Sequence, residues 1–292
     1  MTDYKDDLTP RESFAVPEPL GFPGPLSRSH KTETRKGTFY GVSVGPGDPG
    51  LLNLAAVSTI MNSPVIAAPR TKGGDMLALS IAREGINRFL ELSFGSRMAK
   101  SSDVSFWAAK TVLPLDFPMS KDPAVLETAH ESAADQLKTF LDKGQDVALL
   151  NLGDVTLYST CASMAEILER DGYEVRLIAG VTSFCAASAA LSDFLTEPEK
   201  PVFILPGSLD EAAADRLLNE PGTKILMKAK QKLPETVEKL KALGLAPRTS
   251  VVVNCGLPGE QVFHSLEDYE WALRETPEQT LSYYTVILIK DR

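Results

Sequence analysis

The fold is decided by residues 147–160, which read VALLNLGDVTLYST. Residues 147–152 are almost entirely apolar, and such a run is typical of a central parallel strand covered on both faces. The run ends at Gly153-Asp154, and a helix is predicted over 159–170. Open α/β sheets bind ligands at the carboxyl ends of their strands. This segment therefore predicts an α/β fold class and places one part of a binding site.

Strands and helices alternate on both sides of this segment. Strands are predicted at 38–44, 65–69 and 174–178, and helices at 51–61, 76–83 and 122–143. The helix at 122 starts with Asp122-Pro123, a favourable N-cap followed by proline at the first helical position, and Gly144 is its predicted C-cap. This alternation favours a parallel sheet with helices packed on it.

The pattern changes after Val181. Strands are predicted at 202–205, 224–227, 250–253 and 284–289, with helices at 210–218 and 233–243. We therefore predict two α/β domains, residues 37–181 and residues 182–292. Residues 1–36 are rich in proline and show no apolar periodicity, so they are predicted to be a disordered N-terminal extension.

Composition excludes several classes of function. The 292-residue chain has a formal net charge of −9, which disfavours nucleic acid as a partner. It contains no apolar run of the ~18 residues that a membrane span needs and no secretory signal, so we expect a cytoplasmic protein. Cys161, Cys185 and Cys255 lie far apart and only three histidines are present, so neither a disulfide framework nor a metal site is expected.

Four loops carry the residues that are suited to binding. They read GPGDPG at 45–50, LGDVTLYST at 152–160, AGVTSFCAA at 179–187 and NCGLPGE at 254–260. Each follows a predicted strand, and glycines let a backbone turn sharply or approach a ligand closely. Taken singly each loop has a plainer interpretation: the first is an ordinary turn, and Asp154 or Thr156 is a helix cap. In the first loop Pro46 separates the first two glycines, and no acidic residue ends the second predicted strand as a dinucleotide site would require, so a dinucleotide site is poorly supported.

In this order and spacing the loops resemble the tetrapyrrole methylase family. The segment GVSVGPGDP at 41–49 is similar to that family's N-terminal signature. The segments NLGDVTLYST at 151–160, IAGVTSFCAA at 178–187, YYTVILIK at 283–290 and FPM at 117–119 resemble its precorrin-2 C20-methyltransferase branch more narrowly. The resemblance extends from about Gly37 to Arg292.

The resemblance implies two α/β domains with S-adenosylmethionine bound in the cleft between them, and usually a homodimer. It implies methyl transfer to carbon 20 of precorrin-2, or of cobalt-precorrin-2 or cobalt-factor II, in cobalamin biosynthesis. Carried over by motif, the expected cofactor contacts are Pro46, Leu152, Gly153, Asp154, Leu157, Thr182, Ser183, Met227 and Gly256.

One residue departs from the family pattern. The family usually has proline after Gly-Asp, whereas this chain has Val155. Valine has an N–H and lacks the rigid ring, so the shape of the second loop is left open.

The residues that act on the substrate are less defined than the cofactor loops. A base is expected to remove the proton from the methylated carbon, but the motifs do not identify it. The candidates by residue type are His130, His264 and Tyr158. The candidate partners for substrate carboxylates are Arg70, Lys72, Lys228, Lys230 and Lys232.

Three alternative functions stay open at this point. The first is another methylase of the same family, acting on uroporphyrinogen III or a later precorrin. The second is a non-catalytic tetrapyrrole-binding protein with the same fold, and the third is a nucleotide-dependent oxidoreductase.

Overall fold

The computed structural model describes residues 35–95, 106–118, 120 and 122–291. The predicted disordered extension lies outside the described residues except for its last two positions, and so does Met119 of the FPM segment. In the described part of the chain no helix is long and apolar enough to cross a membrane.

The first sheet contains five parallel strands. They are β1 (Thr38–Ser43), β2 (Val65–Arg70), β3 (Thr111–Asp116), β4 (Val147–Asn151) and β5 (Glu174–Ile178). Their order is β3-β2-β4-β1-β5, so the apolar strand β4 is central as its sequence predicted. Because all five strands are parallel, their carboxyl ends and the loops that follow them lie at one edge of the sheet.

Helices cover both faces of this sheet. They are α1 (Leu54–Asn62), α2 (Leu77–Phe94), α3 (Pro123–Leu141) and α4 (Cys161–Arg170). Helices α1 and α2 pack on one face and α3 and α4 on the other, each pair with its own apolar core. The predicted cap is confirmed, because the Asp122 side chain accepts from the Ala124 amide at 3.0 Å.

The second sheet is mixed. Its strands are β6 (Val202–Pro206), β7 (Thr223–Met227), β8 (Thr249–Val253), β9 (Gln261–Phe263) and β10 (Thr285–Ile289), in the order β6-β7-β10-β8-β9. Strands β6 and β7 are parallel, and the other pairs are antiparallel. The helices of this half are α5 (Ser183–Ala190), α6 (Glu211–Asn219), α7 (Leu233–Ala242), α8 (Leu266–Glu275) and α9 (Pro277–Thr280).

The two sheets confirm the predicted α/β class. Strand β5 ends before the predicted boundary at residue 181 and β6 begins after it. Residues from Arg35 onward form one compact unit. The division into domains 37–181 and 182–292 stays a prediction.

Candidate functional site

A cavity of about 880 Å³ lies at the strand ends of the two sheets. Its lining residues come from 69–72, 77–78, 116–118, 151–154, 157–160, 182–183, 227–228 and 283–286, together with Pro46 and Cys255. Eight of the nine predicted cofactor residues are among them: Pro46, Leu152, Gly153, Asp154, Leu157, Thr182, Ser183 and Met227. The volume falls within the range of ~300–1,000 Å³ that is typical of small-molecule and cofactor sites.

The first and second loops are joined through their glycines. The Gly153 amide donates to the Gly45 carbonyl at 2.7 Å, and both residues have a positive φ, of 75° and 78°. A Cβ atom at Gly153 would meet no other atom within 4 Å. Gly153 therefore leaves open space beside a backbone that lines the cavity, which lets a ligand approach the main chain closely.

The Asp154 carboxylate holds the second loop to the third. One oxygen accepts from the Gly180 amide at 2.7 Å, and the other accepts from the Thr156 amide at 2.8 Å and from the Thr156 hydroxyl. Burial alone would raise the pKa of this carboxyl, but the hydrogen bonds from Thr156 and Gly180 outweigh it, so the pKa is lowered. Both oxygens of Asp154 are thus used within the protein. The helix-cap interpretation is wrong, because α4 begins seven positions later and its first amide, at Cys161, bonds to the Ser159 hydroxyl.

Val155 is accommodated by a hydrogen bond that proline cannot make. Its amide donates to the Ser43 hydroxyl at 2.8 Å, at the end of β1. Ser43 also packs against Gly180, where an added Cβ would lie 2.3 Å from the Ser43 Cβ. Val155, which replaces the proline usual in the family, is therefore held by a hydrogen bond to Ser43.

The first loop also packs backbone against backbone on the fourth. A Cβ at Gly47 would lie 2.6 Å from the Cys255 carbonyl oxygen, and a Cβ at Gly256 would lie 2.3 Å from the Asp48 nitrogen. Gly256 has a φ of 72° and is not among the residues that line the cavity. Its place in the structure is at the contact between the two loops.

The third loop starts helix α5. The Thr182 side chain accepts from the Cys185 amide at 3.4 Å and so caps the helix. Thr182 and Ser183 line the cavity at the first turn of this helix.

Tyr158 and Lys228 meet at the cavity wall. The Lys228 ammonium donates to the Tyr158 carbonyl at 2.6 Å, and the Tyr158 hydroxyl donates to the Ile204 carbonyl at 3.2 Å. Both residues have left-handed backbone, with φ of 49° for Tyr158 and 58° for Lys228. Such conformations are costly for residues other than glycine and cluster at functional sites.

The candidate cations divide into two groups. Arg70, Lys72 and Lys228 line the cavity, whereas Lys230 and Lys232 do not. Arg70 forms a two-pronged ion pair with Asp116, at 2.9 and 2.5 Å. The hydrogen bond to Arg70 lowers the pKa of Asp116, and the same bond raises that of Arg70.

The candidate bases divide in the same way. His130 packs beside Phe117 with ring centroids 6.0 Å apart, and the His264 carbonyl accepts from the Ser250 hydroxyl at 3.1 Å. Neither histidine lines the cavity, whereas Tyr158 does. The assignment of a base is left open.

A comparison with known families identifies the fold around this cavity. The family model described as Tetrapyrrole (Corrin/Porphyrin) Methylases matches residues 38–269. The chain belongs to the tetrapyrrole methylase family. The matched residues include all four loops and every described strand except β10.

Within the tetrapyrrole methylase family, the chain is similar to enzymes that methylate carbon 20 of cobalt-precorrin-2. The chain is 27% identical over 259 residues to the cobalt-precorrin-2 C(20)-methyltransferase of Salmonella typhimurium, a match covering 88% of this chain and 97% of the relative. It is 33% identical over 191 residues to a probable cobalt-precorrin-2 C(20)-methyltransferase of Methanocaldococcus jannaschii, covering 65% of this chain and 72% of the relative.

A solved structure of the family shares the fold. It is the uroporphyrin-III C-methyl transferase of Thermus thermophilus in complex with S-adenosylhomocysteine, with a TM-score of 0.55 and 18% identity. The match covers 87% of this chain and 92% of that structure.

The sequence did not place the start of β10 in the site. Residues 283–286 line the cavity because β10 runs antiparallel to β7, which sets Val286 opposite Met227 at the carboxyl end of β7. The Tyr283 and Tyr284 rings pack edge to face with centroids 5.4 Å apart, and burial raises the pKa of both hydroxyls. The segment 283–290 resembles the family, but only the pairing of β10 with β7 reveals its position at the cavity.

Proposed function

We propose that this chain transfers a methyl group from S-adenosylmethionine to carbon 20 of precorrin-2, or of its cobalt complex, in cobalamin biosynthesis. The observation that carries the proposal is the single cavity that gathers eight of the nine residues expected from the family's cofactor motifs. Similarity to the C(20)-methyltransferase of Salmonella typhimurium over 97% of its length supports the choice of substrate.

The residues that line the cavity fit the cofactor. Gly153 leaves an open cradle beside the main chain, while Leu152, Leu157 and Met227 supply apolar surface for a flat, uncharged ring system. Thr182 at the start of α5 supplies a polar edge. These residues would hold S-adenosylmethionine, whose sulfonium supplies an already activated methyl group.

The chain's own contribution is orientation of the reacting groups. Asp154 and Ser43 fix the second loop through bonds to backbone amides, so the main chain at Gly153 is set before a ligand binds. A carbon between reduced pyrrole rings is electron-rich and can attack a methyl group in line. Holding the two carbons at near-attack distance is worth on the order of 7–11 kcal/mol in favourable cases.

A homodimer and a cytoplasmic location stay predictions that rest on the family resemblance and on composition. Sedimentation velocity of the full chain tests the first, and a species of twice the chain mass is the expected result.

The proposed reaction is tested by anaerobic incubation of the full chain with S-adenosylmethionine and either metal-free precorrin-2 or its cobalt complex. Mass spectrometry is expected to show the gain of one methyl group on at least one of them. Uroporphyrinogen III and a later precorrin are supplied in parallel incubations, and a methyl gain on one of these alone would assign another reaction of the family. Binding of a tetrapyrrole without methylation of any would indicate a non-catalytic binding protein.

A further inference from the structure

Lys72 and Lys228 both line the cavity, and Lys228 is the one whose ammonium is held in place by a hydrogen bond to the protein main chain. Its side chain is accessible from the cavity, and its nitrogen donates to the Tyr158 carbonyl at 2.6 Å and lies 5.9 Å from the centre of the Tyr158 ring. Within the described ranges no carboxylate lies within ion-pair distance of it. An ammonium has three N–H donors, and only one of them is used in the contacts of the described residues.

The acidic residues that line the cavity are already engaged. Asp116 is bound by both prongs of Arg70, and both oxygens of Asp154 accept from Thr156 and Gly180. Arg70 is thereby neutralised, whereas Lys228 is not. A negatively charged group entering the cavity therefore finds in Lys228 a cation that is not already paired with a carboxylate.

The surroundings of Lys228 favour binding of a negatively charged ligand group to its ammonium. Protein atoms around the side chain displace part of its water, and this desolvation lowers its pKa. A carboxylate brought in by a ligand would restore the lost stabilisation of the charge. The hydrogen bond to the Tyr158 carbonyl holds the ammonium at the cavity wall, and both residues have left-handed backbone there.

We propose that Lys228 binds a carboxylate side chain of the tetrapyrrole, which positions the ring in the cavity. This inference rests on the proposed function and adds to it the residue that receives an acidic arm of the substrate. The cofactor also carries a carboxylate, but that group is accompanied by the cofactor's own ammonium and by a sulfonium that repels Lys228. The acetate and propionate arms of a tetrapyrrole have no such internal cation.

The test is a binding titration of the full chain with precorrin-2 under anaerobic conditions, followed by absorbance. S-adenosylhomocysteine replaces the methyl donor, so that no turnover occurs. Lys228→Met keeps the length of the side chain and removes the charge. Loss of a hydrogen bond between charged groups is expected to raise the Kd for precorrin-2 roughly ten- to hundredfold. Lys228→Arg keeps the charge and is expected to restore most of the affinity.

Two controls separate this result from a structural effect. Lys230→Met removes a neighbouring charge that does not line the cavity, and the affinity for precorrin-2 is expected to stay unchanged. S-adenosylhomocysteine is titrated alone into each variant, and its Kd is expected to stay within twofold of the wild type. The proposal is overturned if Lys228→Met binds precorrin-2 as the wild type does, or if it weakens S-adenosylhomocysteine by the same factor. Failure of the wild-type chain to bind precorrin-2 would instead refute the proposed function on which the inference rests.

Discussion

Replacement of Asp154 tests whether the loops of the cavity are held in place before a ligand binds. Asp154→Ala removes the acceptor for two backbone amides, those of Gly180 and Thr156. A hydrogen bond to a charged group contributes about 1.5–3 kcal/mol, and water from the cavity can replace part of each bond. Taking the lower value for both bonds, we expect the free energy of unfolding to fall by about 3 kcal/mol.

Asp154→Asn is expected to be nearly as harmful. The amide oxygen can accept from one of the two amides, but the NH₂ group then faces the other N–H donor. Both variants are expected to weaken binding of S-adenosylhomocysteine, because the second and third loops lose their connection beside Gly153. Thermal unfolding and calorimetric titration measure the two effects.

The matched control is Asp210→Ala. Asp210 caps α6 by accepting from the Ala213 amide at 3.0 Å and does not line the cavity. Loss of this cap is expected to cost about 1 kcal/mol without changing the affinity for S-adenosylhomocysteine. The reasoning is refuted if Asp154→Ala destabilises the chain no more than Asp210→Ala and leaves ligand affinity intact.

The contribution of Asp154 also depends on pH. Because its pKa is lowered on folding, the carboxylate stabilises the native state above its ordinary pKa near ~4. This contribution is lost as the pH falls through the folded value. The difference in unfolding free energy between the wild type and Asp154→Ala is therefore expected to shrink below about pH 4 and to stay constant between pH 6 and 8.

Two other predictions concern a matched pair of glycines and a pair of cysteines. Gly153→Ala and Gly172→Ala both place alanine at a positive φ with no atom within 4 Å, so each is expected to cost about 1 kcal/mol in a denaturation curve. Only Gly153→Ala should also weaken S-adenosylhomocysteine, and equal affinities in the two variants would contradict the assignment of the cradle. Burial raises the pKa of Cys161 to about 12, so iodoacetamide at pH 8 should alkylate the exposed Cys185 first, as followed by peptide mass spectrometry. Comparable labelling rates would contradict the burial of Cys161.

The buried parallel strands and capped helices could be predicted because their signals are local. Strand β4 is uniformly apolar, and α3 begins with an N-cap aspartate and a proline. The sequence predicts no strand over 111–116, because Pro114 lies inside this segment. The structure places β3 at the edge of the sheet, where Pro114 pairs with Ala68 on one side and the proline nitrogen needs no partner on the other.

Helix α8 carried a signal that could have been used. Its cap Ser265 bonds to the Asp268 amide at 3.1 Å, and the Ser265 hydroxyl donates to the Asp268 carboxylate at 2.7 Å. This Ser-x-x-acidic spacing precedes Tyr269 and Ala272, which are buried at helical spacing.

The order of the motifs predicts that the four loops lie together in one site, but it does not predict the contacts between their residues. The bond from Gly180 to Asp154 and the bond from Lys228 to Tyr158 join residues that are far apart in sequence. Only the arrangement of the two sheets brings those residues together. For the same reason the motifs could not distinguish Lys228, which lines the cavity, from Lys230, which does not.

The position of the transferred methyl group tests the proposed reaction most directly. S-adenosylmethionine labelled with ¹³C at the methyl group is incubated anaerobically with the full chain and with precorrin-2 or its cobalt complex, and the product is examined by NMR. We expect one labelled methyl group, bonded to carbon 20. A label at any other carbon, or its absence from both substrates, would contradict the proposed function.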